Sequence, residues 1–446
     1  MARASVLVNG SPTREFSLQK GVRQGDPLSS FLFIIAMEGL NLVMKEAVAK
    51  GVFKGVAIPG SNTTLSHLFY ADDALFLGEW SKGNIKNLSR ILKYFYASSG
   101  LKVNFNKSKV YGIGVSDREV EEWASPLGCE PASLPFNYLG VPVGANMNLK
   151  KNWKPVIDKF NSKLSVWKAR SLSFGGRVTL AKSVLGNLPT YFLSLFAAPA
   201  GIVDSLEKIR RRFIWGGNST SNKICWVAWD RITAPKEVGG LGLGSIKTLN
   251  MALLIKWWWK FFKESDALWV DVLKGIHGLV HPNLLNLLGI DLQVFGRTLN
   301  RLERSNHWIS DCRFPWINWT PYKISCFVWR ARLNRIPSNS ALLSRNVSIG
   351  SVYCSACCSS SECADHLLVR CPFASWVWSR VEVWCGLSGA NSISVNGWVD
   401  FAAKAGHDSK KKRKFLSMVI FATMWRFGEQ GMIAFSILIL WIQGLW

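Results

Sequence analysis

The sequence has few acidic residues for its length. Asp and Glu number 29 among 446 residues, against 54 Lys and Arg, which leaves a formal net charge of +25. Charged residues make up 19% of the chain and hydrophobic residues 48%, which excludes a mostly disordered protein, since disorder goes with low hydrophobicity. A positive field of this size attracts polyanions. Nucleic acid is therefore the first partner to expect, and an anionic membrane surface the second.

At the two ends of the chain we expect neither a signal peptide nor a membrane span. The opening stretch, MARASVLVNGSPTREF, has no apolar core of signal-peptide length. The apolar segment Met432–Trp446 is interrupted by Gln443 and is shorter than the ~20 residues that a span needs. We therefore expect an intracellular protein of the nucleus or cytoplasm, not a secreted one, with no membrane partner.

Cysteine is sparse except in one place. Ten cysteines are too few for a small disulfide-stapled secreted domain, yet five of them fall together: Cys354, Cys357, Cys358, Cys363 and Cys371. The spacing Cys354-x2-Cys357-x8-His366-x4-Cys371 offers three thiolates and an imidazole, the ligands of a tetrahedral structural Zn²⁺ site. Either Cys358 or Cys363 can replace a named ligand, and a set of ordinary free thiols is the alternative reading.

The order of the hydrophobic patterns predicts an α+β fold. Short strands and helices alternate at first, with Asp26 and Pro27 typical of a helix start. Helical periods rich in Trp follow, and then a basic helix leads into the cysteine cluster. We divide the chain into 1–148, 149–300, 301–390 and 391–446, the last being a basic linker with an atypical apolar tail.

Two adjacent carboxylates, Asp72 and Asp73, lie between the apolar runs LFY and ALFL. Short apolar runs that flank a polar pair predict strand, turn and strand. Neighbouring carboxylates in apolar surroundings repel each other, and a hard divalent cation such as Mg²⁺ removes that cost. Carboxylate-bound Mg²⁺ serves two-metal nucleotidyl transfer. A solvated Asp-Asp turn is the plain alternative, since Asp favours turns.

The context of this pair resembles a known family. QKGVRQGDPLSSFLFIIAMEGLN, followed by FYADDALFLG, resembles the reverse transcriptases of non-LTR (LINE-type) retrotransposons, particularly the plant lineage. The resemblance implies that Asp72 is a Mg²⁺ ligand and Asp73 its neighbour in the catalytic carboxylate set. Tyr70 would pack near the primer end, and Gln24 and Gly25 would face the nascent base pair.

The resemblance extends from about residue 5 to residue 385. GLKVNFNKSKV matches the next palm motif and implies that Lys107 lies near the incoming triphosphate, while FNYLGVPVG resembles the primer-grip hairpin. His366-Leu367 and Cys371-Pro372 match the zinc-binding domain that follows plant LINE reverse transcriptases. The implied architecture is a partial palm, a helical thumb-like or connector region and a small zinc-binding domain. The implied reaction is DNA synthesis on an RNA template with two Mg²⁺ ions, so RNA and DNA are the partners.

The sequence also departs from the family. The family's centre needs a further Asp on a palm strand upstream of Val8–Gly10, and the chain shows almost nothing before that strand. Because one carboxylate ligand of the catalytic metal ions is missing, we expect a reverse-transcriptase fragment that is inactive alone. The alternative is a non-catalytic, zinc-dependent nucleic-acid-binding protein. From about residue 428 the sequence no longer follows the family.

Basic residues gather at three further places. They are candidate phosphate contacts, with ordinary surface charge as the alternative. The groups are Arg210–Arg212 on an expected helix, the set Lys323, Arg330, Arg332 and Arg335 ahead of the cysteines, and the run Lys410–Lys414.

Overall fold

The computed structural model describes residues 3–17, 25–164, 171–217, 223–278, 314–387, 394–404 and 409–430. The chain forms two compact units. The first comprises Met1–Asn146 and Trp258–Leu284, and the second comprises Met147–Trp257 and Leu285–Trp446. Mixed helices and short strands confirm the α+β class. The four-part division made from the sequence stays a prediction.

The strands belong to the first unit and pair two by two. Five pairs are antiparallel, and β9 with β10 is parallel. The strands are β1 (Arg3–Ala4), β2 (Leu7–Val8), β3 (Ser11–Pro12), β4 (Phe16–Ser17), β5 (Val56–Ala57), β6 (Thr64–Leu65), β7 (His67–Tyr70), β8 (Asp73–Phe76), β9 (Lys109–Tyr111), β10 (Glu130–Ala132), β11 (Phe136–Tyr138) and β12 (Val141–Val143).

Helix α1 (Pro27–Ala49) begins where the sequence predicts. The Asp26 carboxylate accepts a hydrogen bond from the Leu28 N–H at 2.9 Å, and Pro27 occupies the first turn. One face packs into a small core through Leu40 and Met44. The other face leaves large apolar side chains in solvent: Leu28, Phe31, Leu32, Ile34 and Ile35.

Helix α1 is also long and apolar enough to cross a membrane by length and composition alone. The apolar segment Met432–Trp446, for which the sequence predicts no span, lies outside the described residues. The remaining helices of the first unit are α2 (Lys82–Ser99), α3 (Asp117–Ala124) and α10 (Leu268–His277), while α9 (Ile246–Lys263) has residues in both units.

The second unit is helical and has a dense aromatic core. Trp153, Trp329 and Trp398 are among its largest fully buried side chains. Its helices are α4 (Lys154–Lys163), α5 (Phe174–Leu180), α6 (Thr190–Leu195), α7 (Ala200–Ile214), α8 (Trp229–Thr233), α11 (Tyr322–Arg332), α12 (Asn339–Leu343), α13 (Pro372–Cys385), α14 (Val395–Lys404) and α15 (Lys410–Gln430).

Candidate metal centres and nucleic-acid contacts

A tight loop presents the first two cysteines of the cluster. Tyr353 and Ser361 form an isolated antiparallel bridge, and the Cys354 N–H donates to the Ser360 carbonyl at 2.9 Å. The Cys358 N–H donates to the Cys354 carbonyl at 2.9 Å and closes the turn. This backbone pairing holds Cys354 and Cys357 close together.

The second half of the cluster lies where two helical segments meet. His366 begins a π-helical turn, His366–Arg370, and the Cys371 N–H donates to the His366 carbonyl at 2.8 Å. Cys371 precedes α13, and the backbone N–H groups of Phe373 and Ala374 donate to its sulfur. The start of a helix favours negative charge, so Cys371 is placed where a thiolate is stabilised once a cation is present.

The structure brings together the four residues that the spacing singled out. The ligand atoms of Cys354, Cys357, His366 and Cys371 all lie within 4.8 Å of one another. The Cys357 Sγ and His366 Nε2 atoms are 3.2 Å apart. A tetrahedral zinc site with Zn–S bonds of about 2.3 Å needs ligand atoms about 4 Å apart, so this donor set fits Zn²⁺.

Thiol ionisation follows the same geometry. Hydrogen bonds from the side chain and backbone of Ser359 lower the pKa of Cys357 to about 6, with His366 adding to the effect. The Ser359 hydroxyl is 3.1 Å from the Cys357 sulfur. Burial raises the pKa of Cys371 to about 11, with the charges of Cys354 and Cys357 adding to the rise. A cation at the centre would remove that penalty. Sequence reasoning missed Ser359, for which the spacing gave no signal.

The two extra thiols have other surroundings. Cys358 is exposed with a φ of +52°, and it does not belong to the group of four. The Cys363 sulfur accepts the His366 backbone N–H at 3.4 Å. This contact orients the segment that carries the imidazole. The geometry therefore favours the four residues chosen from the sequence.

Asp72 and Asp73 lie at the tip of the β7–β8 hairpin. Tyr70 pairs with Asp73 across the hairpin, so Ala71 and Asp72 form the turn. Ala71 has a φ of +52°, a conformation that non-glycine residues rarely adopt. Both carboxylates and Tyr70 are exposed. The predicted strand, turn and strand are present, and the turn projects adjacent acids into solvent.

A second hairpin lies near the acids. In β11–β12, Tyr138 pairs with Val141 across a turn at Leu139 and Gly140, both with positive φ. Burial raises the pKa of Tyr138, and the negative charge of Asp73 adds to the rise. This hairpin is the segment that resembles the primer grip. Sequence reasoning did not single out Tyr138, whose pKa responds to the charge of Asp73.

The other predicted palm residues are only partly described. Gly25 is exposed with a φ of +88°, directly before the Asp26 cap. Gln24 lies outside the described residues. Lys107 is exposed in a turn in which its N–H donates to the Asn104 carbonyl at 3.1 Å. Their expected roles toward base pair and triphosphate stay predictions.

Several basic residues are not the free phosphate contacts that the sequence suggested. Arg210 is 1% exposed, pairs with Glu207 at 2.9 Å and donates to the carbonyls of Leu243 and Gly244. The guanidinium of Arg330 lies 5.3 to 5.9 Å from the ring centres of Phe174, Trp215 and Trp226, and burial lowers its pKa to about 10.

Two other basic residues of the group that contains Arg330 differ in their exposure to solvent. Arg332 is mostly buried and pairs with Asp400 at 3.0 Å, whereas Lys323 is exposed. The Lys410–Lys414 run is exposed at the start of α15. Internal packing therefore uses part of the positive charge, while Lys323, Arg335 and the Lys410–Lys414 run remain exposed.

Two known families match this chain, one over the region of the two hairpins and one over the Cys/His cluster. Residues 2–143 match the family described as reverse transcriptase (RNA-dependent DNA polymerase). Residues 296–378 match the family described as zinc-binding in reverse transcriptase. The first match includes both hairpins, and the second includes all four residues of the Cys/His cluster.

Individual relatives come from plant and animal genomes. An uncharacterised mitochondrial protein of Arabidopsis thaliana is 31% identical over 112 residues, which cover 24% of this chain and 88% of that protein. An Arabidopsis thaliana protein named for ribonuclease H is 34% identical over 125 residues, 28% of this chain and 20% of that protein. The Pol polyprotein of a type-2 retrotransposable element of Drosophila melanogaster is 26% identical over 259 residues, 56% of this chain and 23% of that protein.

The matched segments thus span about a fifth of the length of two of these relatives, and most of the third. A zinc-binding module and implied nucleic-acid binding follow from the two family matches together with the Cys/His cluster. The chain belongs to the reverse transcriptases of plant non-LTR retrotransposons.

Proposed function

We propose that this chain serves RNA-directed DNA synthesis, with Asp72 and Asp73 as Mg²⁺ ligands at the hairpin tip. The observation that carries the proposal is the β7–β8 hairpin, whose tip projects two exposed carboxylates into solvent. The charge of one of them, Asp73, reaches Tyr138 in the β11–β12 hairpin. Bound Mg²⁺ would supply charge stabilisation for nucleotidyl transfer. Tyr70, Gln24, Gly25 and Lys107 would contact primer, template and triphosphate.

Metal-directed cleavage tests the Mg²⁺ assignment. Fe²⁺ replaces Mg²⁺ and, with ascorbate and peroxide, cuts the backbone beside its site. We expect a cut near residues 70–76 that excess Mg²⁺ suppresses and that Asp72→Asn and Asp73→Asn abolish. Asp117→Asn is the matched control, because Asp117 is also an exposed acid in the first unit. An unchanged cut in the Asp72→Asn protein would refute the assignment.

Asp72 and Asp73 lack further metal ligands nearby among the described residues. Among the described residues, no third carboxylate, His or Cys joins Asp72 and Asp73 in a group of potential metal ligands. Two carboxylates at a solvated tip hold Mg²⁺ weakly, since Mg²⁺ keeps most of its water in such sites. We therefore propose that these 446 residues by themselves do not extend a primer.

A non-catalytic role in nucleic-acid binding is the second candidate. The closed Cys354, Cys357, His366 and Cys371 group favours it, because four protein ligands leave no open position on Zn²⁺ for chemistry. Zinc here would hold the loop 353–361 to the start of α13. Zinc-loaded protein should bind RNA and DNA template–primer, and chelated protein should bind at least ten times more weakly at about 0.15 M salt. Equal affinity before and after chelation would remove this candidate.

Location and membrane contact complete the proposal. Thiolate zinc ligands need a reducing compartment, which supports an intracellular protein of the nucleus or cytoplasm. We propose no membrane partner, because the buried face of α1 packs on the core of the first unit. Flotation of the purified chain with anionic vesicles at about 0.15 M salt would contradict this.

A further inference from the structure

An open pocket of about 600 Å³ lies in the second unit, apart from the metal residues. Its walls come from the segment that leads into α11 and from the loop before α9. Six of the residues that line it carry the argument: Lys236, Trp316, Trp319, Thr320, Tyr322 and Ser325. Its volume falls in the range of small-molecule and cofactor sites.

Two buried hydroxyl groups in this pocket have no partner. Thr320 is 5% exposed and Ser325 is 2% exposed, and neither hydroxyl has a hydrogen-bond partner among the described residues. The buried Trp316 indole N–H likewise has no hydrogen-bond partner among the described residues. Buried polar groups are nearly always paired, so three unpaired groups lining one pocket indicate a polar ligand.

The pocket is also positively charged. The Lys236 ammonium lies 4.9 Å from the ring centre of Trp316 and 5.1 Å from that of Tyr322. None of the described residues that line the pocket carries a carboxylate. Helix α11 begins at this wall after Pro321, with no side chain capping its first N–H groups. An ammonium and a free helix start together favour an anionic group such as phosphate.

One aromatic ring is free to stack. Trp319 is 49% exposed, and the Lys414 ammonium lies 5.4 Å from its ring centre. An exposed indole beside lysines is the arrangement that single-stranded nucleic-acid binders use for unstacked bases. A duplex offers no free base face to such a ring.

We propose that this pocket takes one nucleotide of a single-stranded nucleic acid. The base stacks on Trp319, the phosphate lies by Lys236 and the start of α11, and the unpaired groups of Trp316, Thr320 and Ser325 supply hydrogen bonds. The proposal rests on nucleic acid being the ligand of this chain, and it is independent of the Asp72 and Asp73 assignment.

The test is fluorescence anisotropy of the zinc-loaded full chain with a labelled oligothymidylate about ten nucleotides long, at about 0.15 M salt. We expect Trp319→Ala to weaken binding about 10-fold to 100-fold, from the usual contribution of one stacked base. Trp376→Ala is the matched control, because Trp376 is 45% exposed with the Arg380 guanidinium 5.5 Å from its ring centre. The control should stay within about twofold, because Trp376 is not among the described residues that line the pocket.

Further arms identify the ligand. Thr320→Val keeps the side-chain shape and should weaken oligonucleotide binding several-fold, with unchanged zinc content and circular dichroism. A nucleoside monophosphate should compete and inorganic phosphate should not, while duplex DNA should bind Trp319→Ala and parent protein equally. Equal losses of oligonucleotide affinity in Trp319→Ala and Trp376→Ala would overturn the proposal that the pocket binds a nucleotide. An absence of oligonucleotide binding by the parent protein would also overturn it. Metal-directed cleavage at the hairpin would be unaffected by either result, so the two proposals fail separately.

Discussion

The two candidate metal sites of this chain differ in how complete they are. In the second unit, Cys354 and Cys371 are fully buried, and the four ligand atoms lie within 4.8 Å of one another. In the first unit, Asp72 and Asp73 stand in solvent at a hairpin tip. A structural site is closed by its own local sequence, whereas a catalytic site is assembled from distant segments and substrate.

The largest effect expected from this contrast concerns zinc. Cys371→Ser should abolish stoichiometric zinc and unfold the module around α13, because metal binding supplies roughly 10–16 kcal/mol in structural sites of this kind. Zinc content and protease resistance of residues 314–387 measure this. Cys358→Ser is the matched control and should keep both. Zinc loss in the Cys358→Ser protein instead would show that the ligand set is misassigned.

The buried ion pair of the second unit comes next. Arg210→Met removes the ion pair with Glu207 and the guanidinium donor to the carbonyls of Leu243 and Gly244. We expect a loss of about 3–5 kcal/mol in the free energy of unfolding, measured in urea. Lys208→Met, an exposed residue on the same helix, should change it by less than about 0.5 kcal/mol. Equal effects would mean that Arg210 is not part of the core.

The two faces of α1 allow a similar comparison in the first unit. Leu40 is 3% exposed and Leu32 is 53% exposed. Leu40→Ala should cost about 2–5 kcal/mol by urea unfolding, because it leaves a cavity in the core. Leu32→Ala should cost less than about 0.5 kcal/mol. A large cost at Leu32 would show that the exposed face is covered in solution.

The smallest expected effect is a pH dependence of the first unit. Burial lowers the pKa of His67, with Lys45 adding to the effect, and its Nε2 lies 2.8 Å from the Asn41 Oδ1. The unfolded chain therefore binds the proton more readily, so stability is full above about pH 6.5 and falls as pH drops through the lowered pKa. The loss should be under about 1 kcal/mol because His67 is half-buried. Urea midpoints at about pH 7.5 and 5.5 should differ less in His67→Gln, and an equal difference would refute the assignment.

Local sequence predicted the local structures well. Asp26 and Pro27 mark the start of α1, the apolar runs around Asp72 and Asp73 form the hairpin, and the cysteine spacing gives the cluster. Each of these depends on residues close together in the chain.

Contacts between distant residues could not be predicted in this way. Arg210 looked like one of three surface arginines, and its burial depends on carbonyls more than thirty residues away. Arg330 looked RNA-facing, but it lies among rings from three other segments. The pocket at Trp319 needs Lys236, which is far away in sequence and gives no pattern of its own.

The most direct test is primer extension on an RNA template with purified zinc-loaded chain, Mg²⁺ and deoxynucleotides. It shows whether Asp72 and Asp73 alone form a complete catalytic centre. The account predicts template–primer binding without incorporation, and the same null result for the Asp72→Asn protein. Template-dependent incorporation that Asp72→Asn abolishes would contradict it, since the chain would then hold a complete catalytic centre.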